Sequence, residues 1–347
     1  MEITKDQILE VLKQVTDPRT GHNIIESKTL ESIDIQQGKV FLLLNTRGVD
    51  AQILSSINFQ CVSAIEDPFP KLIVEIRKNE VPRPISILPQ VKNCIAIGSG
   101  KGGVGKSTVT ANLACALAMK GYKVGLIDAD LYGPSIPTMF GVEKMRPAID
   151  DRSGKPMLVP ILKHGVYLMS IGFVINPEQA VILRGPRLSG ILKQFLQDTV
   201  WPPLDFLFFD LPPGTGDIQL TLVQTLPIQG AIIVSTPQKV SCIDALKAVN
   251  MFKMQSIDVP VLGVVENMSW FSPTDAMDKK YLIFGEGGVE ALAKEEDLPF
   301  LGKIPLVMSA GISSDTGNPE VLTNESFRRE YIEPIALKIT HSFANSK

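Results

Sequence analysis

Gly100-Lys101-Gly102-Gly103-Val104-Gly105-Lys106-Ser107-Thr108 decides how this 347-residue chain folds. The stretch has the form G-x-x-x-x-G-K-S, a loop whose backbone N–H groups cradle triphosphate oxygens. Its glycines at 100, 102, 103 and 105 admit positive φ and let the backbone approach a phosphate with no Cβ in the way. A strand-like run, Cys94 to Gly98, precedes it, and Ser107 to Met119 reads as an alanine-rich helix whose positive end also attracts phosphate. Lys106 is placed for the β- and γ-phosphates, Ser107 for a magnesium ion shared with the nucleotide, and Thr108 for the α-phosphate.

Outward from this loop, apolar runs at 94–98, 123–128, 166–171, 205–210, 230–235 and 261–266 alternate with helical stretches. Short β-branched runs separated by helices imply an α/β fold with a mostly parallel sheet covered by helices on both faces. Ligands of such sheets bind beyond the carboxyl ends of the strands, and the acidic residues fall there. Asp128 and Asp130 follow the second run. Asp130 is the candidate for positioning the attacking water, and Asp128 for the magnesium shell or for anchoring the loop itself. Both are also residue types that start turns. The run Asp205 to Asp210 ends as a Walker B strand does, with Asp210 reaching magnesium through water. Leu211-Pro212-Pro213-Gly214-Thr215-Gly216-Asp217 then reads as a loop that a γ-phosphate orders and its loss releases. Two readings stand for Asp217: a tie between this switch and its neighbours, or an N-cap for a helix near Ile218. Asn267, in Val264 to Met268, can donate to and accept from a base edge, and no Asn/Thr-Lys-x-Asp guanine signature is present, so adenine is expected.

Residues 1–80 read as a small α+β domain: a helix from Gln7 to Val15, strands Leu30–Ile35 and Lys39–Leu44, a helix near 51–58, and a strand Lys71–Ile76. Residues 81–92 carry three prolines and read as a linker, leaving 93–347 for the phosphate-binding domain. A net charge of −3, without a basic block, argues against a nucleic-acid partner. No signal-peptide pattern or spanning apolar run appears, so a cytoplasmic protein without a membrane partner is expected. Four widely separated cysteines, at 61, 94, 115 and 242, fit reduced thiols.

The second lysine, Lys101, makes the loop resemble the deviant Walker A of the MinD, ParA and nitrogenase iron protein class. That resemblance implies a nucleotide-sandwich homodimer in which Lys101 reaches the partner's nucleotide; a solvated loop lysine is the other reading. More widely, Ser99 to Thr108, Asp128 to Pro137, Arg184-Gly185-Pro186, Asp210 to Asp217, Thr236-Pro237-Gln238, Val265 to Ser269 and Ile283 to Gly288 resemble the Mrp/ApbC family of iron-sulfur cluster carrier ATPases. The first 80 residues resemble the small iron-sulfur-assembly domain often fused in front of them, Val15-Thr16-Asp17-Pro18 being its turn.

By that resemblance the chain is expected to bind ATP and Mg2+, to hydrolyse ATP slowly, and to deliver iron-sulfur clusters to apoproteins with the help of assembly proteins. The family's C-x-x-C cluster ligands are absent: Trp270 to Tyr281 contains no cysteine, and its Ser272 and Asp275 are oxygen donors poorly suited to iron-sulfur chemistry. Cys61 and Cys242 remain as candidate ligands. The alternative function is a MinD- or ParA-like ATP-dependent positioning switch without a cluster. The segment from Phe327 to Phe343 is its only candidate anchor, and Pro334 and a shortage of basic residues favour core packing there.

Overall fold

The computed structural model describes every residue except 1–3, 19, 37, 46–50, 71, 79–87, 131–132, 152–153, 174–184, 255, 274, 277–278 and 345–347. The chain divides into two compact units, Met1–Ile85 and Ser86–Lys347.

In the first unit, helix α1 (Lys5–Leu12) is followed by strands β1 (Leu30–Gln36) and β2 (Lys39–Leu44), helix α2 (Ala51–Glu66) and strand β3 (Ile73–Lys78). β2 pairs antiparallel with β1 and parallel with β3. Alternation along β2 sends Val40, Leu42 and Leu44 inward, where they meet Ile8 and Leu12 of α1 and Ile57, Cys61 and Ile65 of α2. The helical period of α2 continues a full two turns beyond the expected 58, because Cys61, Ala64 and Ile65 supply the buried stripe.

The second unit opens with β4 (Val91–Gly98), so the chain is already strand within the span expected as linker, whose residues 81–87 lie outside the described ones. Helix α3 (Lys106–Met119) and strand β5 (Val124–Asp128) follow, then the short helix α4 (Ile136–Met139) and strands β6 (Ala148–Asp150), β7 (Met157–Val159), β8 (Ile161–Lys163) and β9 (Val166–Ser170). Next come α5 (Gly185–Gln197), β10 (Leu204–Asp210), α6 (Asp217–Thr225), β11 (Gly230–Ser235) and α7 (Lys239–Lys253). The chain then runs through β12 (Val261–Phe271), α8 (Gly288–Glu295), β13 (Phe300–Leu306), α9 (Met308–Asp315), α10 (Glu320–Thr323), α11 (Glu325–Phe327) and α12 (Glu333–Ala344).

Eight strands form one sheet in the order β13-β12-β11-β4-β10-β5-β9-β8, parallel throughout except for β8 against β9. Both faces are covered. Along β10, Leu207 and Phe209 join the core on one side, while Phe206 and Phe208 join the core on the other. The phosphate-binding loop leaves the carboxyl end of β4 near the middle of the sheet. Register sets Asp210 beside both Ile97 of β4 and Asp128 of β5, so the two carboxylates arrive together at the mouth of the loop.

The C-terminal segment packs on the core, as Phe327, Ile332, Ile335 and Ile339 are all buried. Pro334 does not break it. A π-helical turn over Arg328–Ile332 precedes Pro334, which lies in the first turn of α12, where a missing N–H costs little. Among the described residues, no helix is long and apolar enough to cross a membrane.

Candidate functional site

At the carboxyl end of β4 the loop turns through Gly103 and Gly105, both at positive φ, and Gly105 caps α3. A side chain at Gly105 is forbidden twice: by its φ of 80°, and because a Cβ would lie 2.2 Å from Nδ2 of Asn267. A Cβ at Gly100 would fall 2.0 Å from the backbone carbon of Asp244, so α7 presses directly on the start of the loop.

Charge at the loop is arranged around Asp210. This carboxylate is wholly buried and accepts from the Lys106 ammonium at 2.8 Å, the Ser107 hydroxyl at 2.6 Å and the Thr110 hydroxyl at 2.8 Å. Lys106 also lies 3.1 Å from Oγ of Ser107. The ion pair neutralises two groups that neither could afford to bury alone. Ser107 and Asp210 offer hard oxygen donors at one spot, the donor set that magnesium takes, usually with waters and phosphate completing its shell.

Asp128 faces the same region and makes a different set of contacts. It accepts the backbone N–H of Asp130 at 3.1 Å and of Ile136 at 3.2 Å, together with the Ser170 hydroxyl at 3.2 Å. It therefore organises the segment after β5. Burial first, and the neighbouring Asp210 charge second, push its carboxyl up to about 8. Asp130, which is buried, lines the phosphate recess along with Ser99, Ser135 and Pro213. Lys101 is half-buried at the rim of that recess, and its backbone carbonyl accepts from the Ser99 hydroxyl.

The loop after β10 is tied back at two places. Gly214, at a φ of 97°, donates its N–H to the Ser99 carbonyl at 2.9 Å, and the amide of Gln219 donates to the Pro212 carbonyl. Gly216 is the N-cap of α6, so Asp217 stands in the first helical turn, where its charge meets the positive end of the helix.

Beside the phosphate recess lies a second cavity of about 240 Å³, the two sharing Thr108 and Met139. Its walls include Asn267 and Met268 from β12, Ile304 to Leu306 from the end of β13, Val307 just after it, and Ala310, Gly311, Ser314 and Asp315 from α9. Asn267 is placed in this wall, and an N–H of its amide donates to the Val104 carbonyl at 2.8 Å, so the side chain also holds the loop. The contribution of β13 and α9 was not read from the sequence. Phe300–Leu306 carries glycine, lysine and proline, which obscure a strand pattern, and Pro305 is tolerated because β13 lies at the sheet edge. Met268, which closes the Val264 to Met268 stretch expected beside the base, has a φ of 55° at a register shift that re-aims the end of β12.

The comparisons with known proteins agree with this geometry. The sequence pattern of the NUBPL iron-transfer P-loop NTPase family matches residues 90–340. The chain belongs to this family. An iron-sulfur cluster assembly protein pattern matches residues 5–72 of this P-loop NTPase. An iron-sulfur cluster carrier protein of Synechocystis sp. is 42% identical over 344 residues, 97% of each chain. Among solved structures, a nucleotide-binding protein from Archaeoglobus fulgidus in complex with ADP is 41% identical, with a TM-score of 0.58, covering 67% of this chain and 89% of that one. The cell division ATPase MinD of Pyrococcus furiosus is 25% identical, with a TM-score of 0.54 over 72% of this chain and 98% of that one.

The thiols of this NTPase do not gather. Cys61 is fully enclosed in the core of the first unit, and burial pushes its thiol up to about 12. Cys94 and Cys115 belong to the cores on opposite faces of the large sheet; burial raises Cys94 to about 12 and Cys115 further. Cys242 is half-buried, 3.7 Å from the carbonyls of Thr236 and Pro237, its thiol raised by burial and by Glu266. Of the two candidate cluster ligands, Cys61 is therefore closed off within its own unit and Cys242 stands alone. Among the described residues, no group of three or more His, Cys, Asp or Glu side chains could hold a metal ion. Between Phe271 and Tyr281, which pair antiparallel, Lys280 lies 4.3 Å from the Trp270 ring centre, and Trp270 meets Tyr331 edge to face.

Proposed function

We propose that the protein is an ATP-hydrolysing factor for iron-sulfur cluster assembly and delivery, working in the cytoplasm as a nucleotide-sandwich homodimer. In this reading residues 93–347 form the ATPase domain and 81–92 the linker. Residues 1–80 form an assembly-type domain that meets assembly proteins and recipient apoproteins. The observation that carries the proposal is the buried cluster of Lys106, Asp210, Ser107 and Thr110 at the mouth of the loop. Triphosphate oxygens entering the recess meet the loop N–H groups and the positive end of α3, and give Lys106 a second anionic partner. Ser107 and Asp210 would hold Mg2+, Asp210 through water, where the ion neutralises phosphate charge. Asp130 orients the attacking water, and Asp128 fixes the backbone on which Asp130 sits. The base lies against Asn267 and the end of β13, and Lys101 extends toward the partner's nucleotide.

The cluster enters this reading as cargo. Thiolates are what iron-sulfur chemistry requires, and three of the four thiols here are held neutral in apolar cores. No step is therefore assigned to a cluster bound on this chain's own cysteines. A MinD- or ParA-type positioning role is disfavoured by the family match and by the packed C-terminal helix, which leaves no amphipathic anchor there.

The test is ATP turnover by the parent, Lys106→Ala and Lys101→Ala, paired with sedimentation in ATP. Lys106→Ala should lose turnover, and Lys101→Ala should lose both turnover and the ATP-dependent dimer. Parent-like hydrolysis by Lys106→Ala would falsify the site assignment.

A further inference from the structure

Glu320 is among the buried carboxylates that lie outside the phosphate recess and play no part in the reading above. Glu320 is 1% exposed and opens the short helix α10. Its Oε1 accepts from the Ser309 hydroxyl at 2.5 Å and the Asn324 amide at 2.9 Å, and its Oε2 accepts from the Ser313 hydroxyl at 2.7 Å. Ser309 and Ser313 are four residues apart, hence on one face of α9. Helix α9 has no buried residue, and Met308 and Ile312 are 63% and 70% exposed. Apolar packing does little to hold this helix, although Ala310, Gly311, Ser314 and Asp315 form one wall of the base cavity.

The other end of the connection reaches the phosphate-binding loop. The N–H of Val321, next to Glu320, donates to Oδ1 of Asn112 at 2.8 Å, and Nδ2 of Asn112 donates to the Thr108 carbonyl at 2.8 Å. Both Asn112 and Glu320 are buried, where leaving a polar group without its partner costs more than at the surface. A continuous set of polar contacts therefore runs from the first turn of α3 to the wall of the base cavity.

We propose that Glu320 is a positioning residue for nucleotide binding: by clamping Ser309 and Ser313 it holds α9 against the base, in register with the phosphate-binding loop. This rests on the reading of the cavity as the base site. Removing the clamp leaves the phosphate contacts intact and frees one wall of the base cavity, so the base contribution to affinity falls while the phosphate contribution stays.

The test measures binding of ADP and of inorganic pyrophosphate by the full chain, in parent, Glu320→Ala, Glu320→Gln and the double variant Ser309→Ala/Ser313→Ala. ADP affinity should fall about tenfold in Glu320→Ala and in the double serine variant, roughly 1.4 kcal/mol. Pyrophosphate affinity should stay within about twofold. Glu320→Gln keeps an acceptor oxygen and should recover most of the loss, and in turnover assays the effect should fall on KM with kcat little changed. The serine variant matters if Glu320→Ala folds poorly, since it opens the clamp from the α9 side and leaves Glu320 its bond from the Asn324 amide. Unchanged ADP affinity in the double variant overturns the proposal, and so does an equal loss of ADP and pyrophosphate binding, which marks a general structural role. If the parent binds pyrophosphate and ADP equally well, the cavity is not a base site, and the underlying reading fails together with this one.

Discussion

Asp210→Asn isolates the electrostatics of the loop. In the nucleotide-free chain the substitution removes the ion-pair partner that Lys106 has among the described residues; Lys106 is 6% exposed and 2.8 Å from Asp210. Breaking a buried pair by neutralising one member costs about 3–5 kcal/mol, because the other charge stays desolvated. Asparagine keeps an oxygen that can accept from Thr110, so the lower end, about 3 kcal/mol, is expected. For a unit of this size, roughly 2–4 °C per kcal/mol converts that to a fall in Tm of about 6–12 °C. The assay is thermal melting in chelator without nucleotide, repeated with ADP. Phosphate oxygens return a negative charge to Lys106, so ADP should raise the Tm of the variant by more than it raises that of the parent. A loss below about 1 kcal/mol without nucleotide, or an ADP increment no larger than the parent's, refutes the claim that this pair neutralises the empty loop.

Gly100→Ala should cost about 1–3 kcal/mol or more and abolish nucleotide binding, since its Cβ meets the backbone of α7 and no side-chain rotation relieves the clash; urea midpoints and ADP titration decide it. Thiol titration of the native chain near neutral pH should show one slowly reacting cysteine, Cys242, against four in denaturant; modification of Cys61 mapped by mass spectrometry in the native state contradicts the burial argument. Lys92 and the Lys123 N–H hold the Asp205 carboxyl below its ordinary value, so its stabilisation is present above about pH 4 and is lost as pH falls through the lowered folded value. Because Lys92 is exposed, Asp205→Asn should cost no more than about 1 kcal/mol at pH 7, and the gap between variant and parent should narrow on acidification; a gap that widens counts against the pairing.

The central sheet was legible because its strands are buried on both faces and their β-branched runs interrupt the helical period, as in Gly230–Ser235, which the structure reproduces residue for residue. The phosphate loop and Asp210 were legible for a related reason: a glycine-rich turn and an acid at a strand end leave a local signature. The cavity beside the phosphate-binding loop had no such signature. Its walls come from an edge strand containing Pro305 and a helix without a buried stripe, so neither shows the periodicity that sequence reading depends on. The second role of Asn267, reaching 163 residues back to Val104, exists only once β12 and the loop are brought side by side. Asp128 shows the complementary difficulty: its position was evident, but that it gathers three donors became visible only with Ile136 and Ser170 in place.

The seclusion of the cysteines bears on how such a factor coexists with its cargo. Soft metal ions and oxidants act on accessible thiolates, and here burial raises the thiols of Cys61, Cys94 and Cys115 while Cys242, half-buried, has no disulfide partner among the described residues. While the fold is intact a thiol-directed metal or oxidant therefore has only Cys242 to act on among the four cysteines, and reaction at Cys61, Cys94 or Cys115 reports that a core has opened.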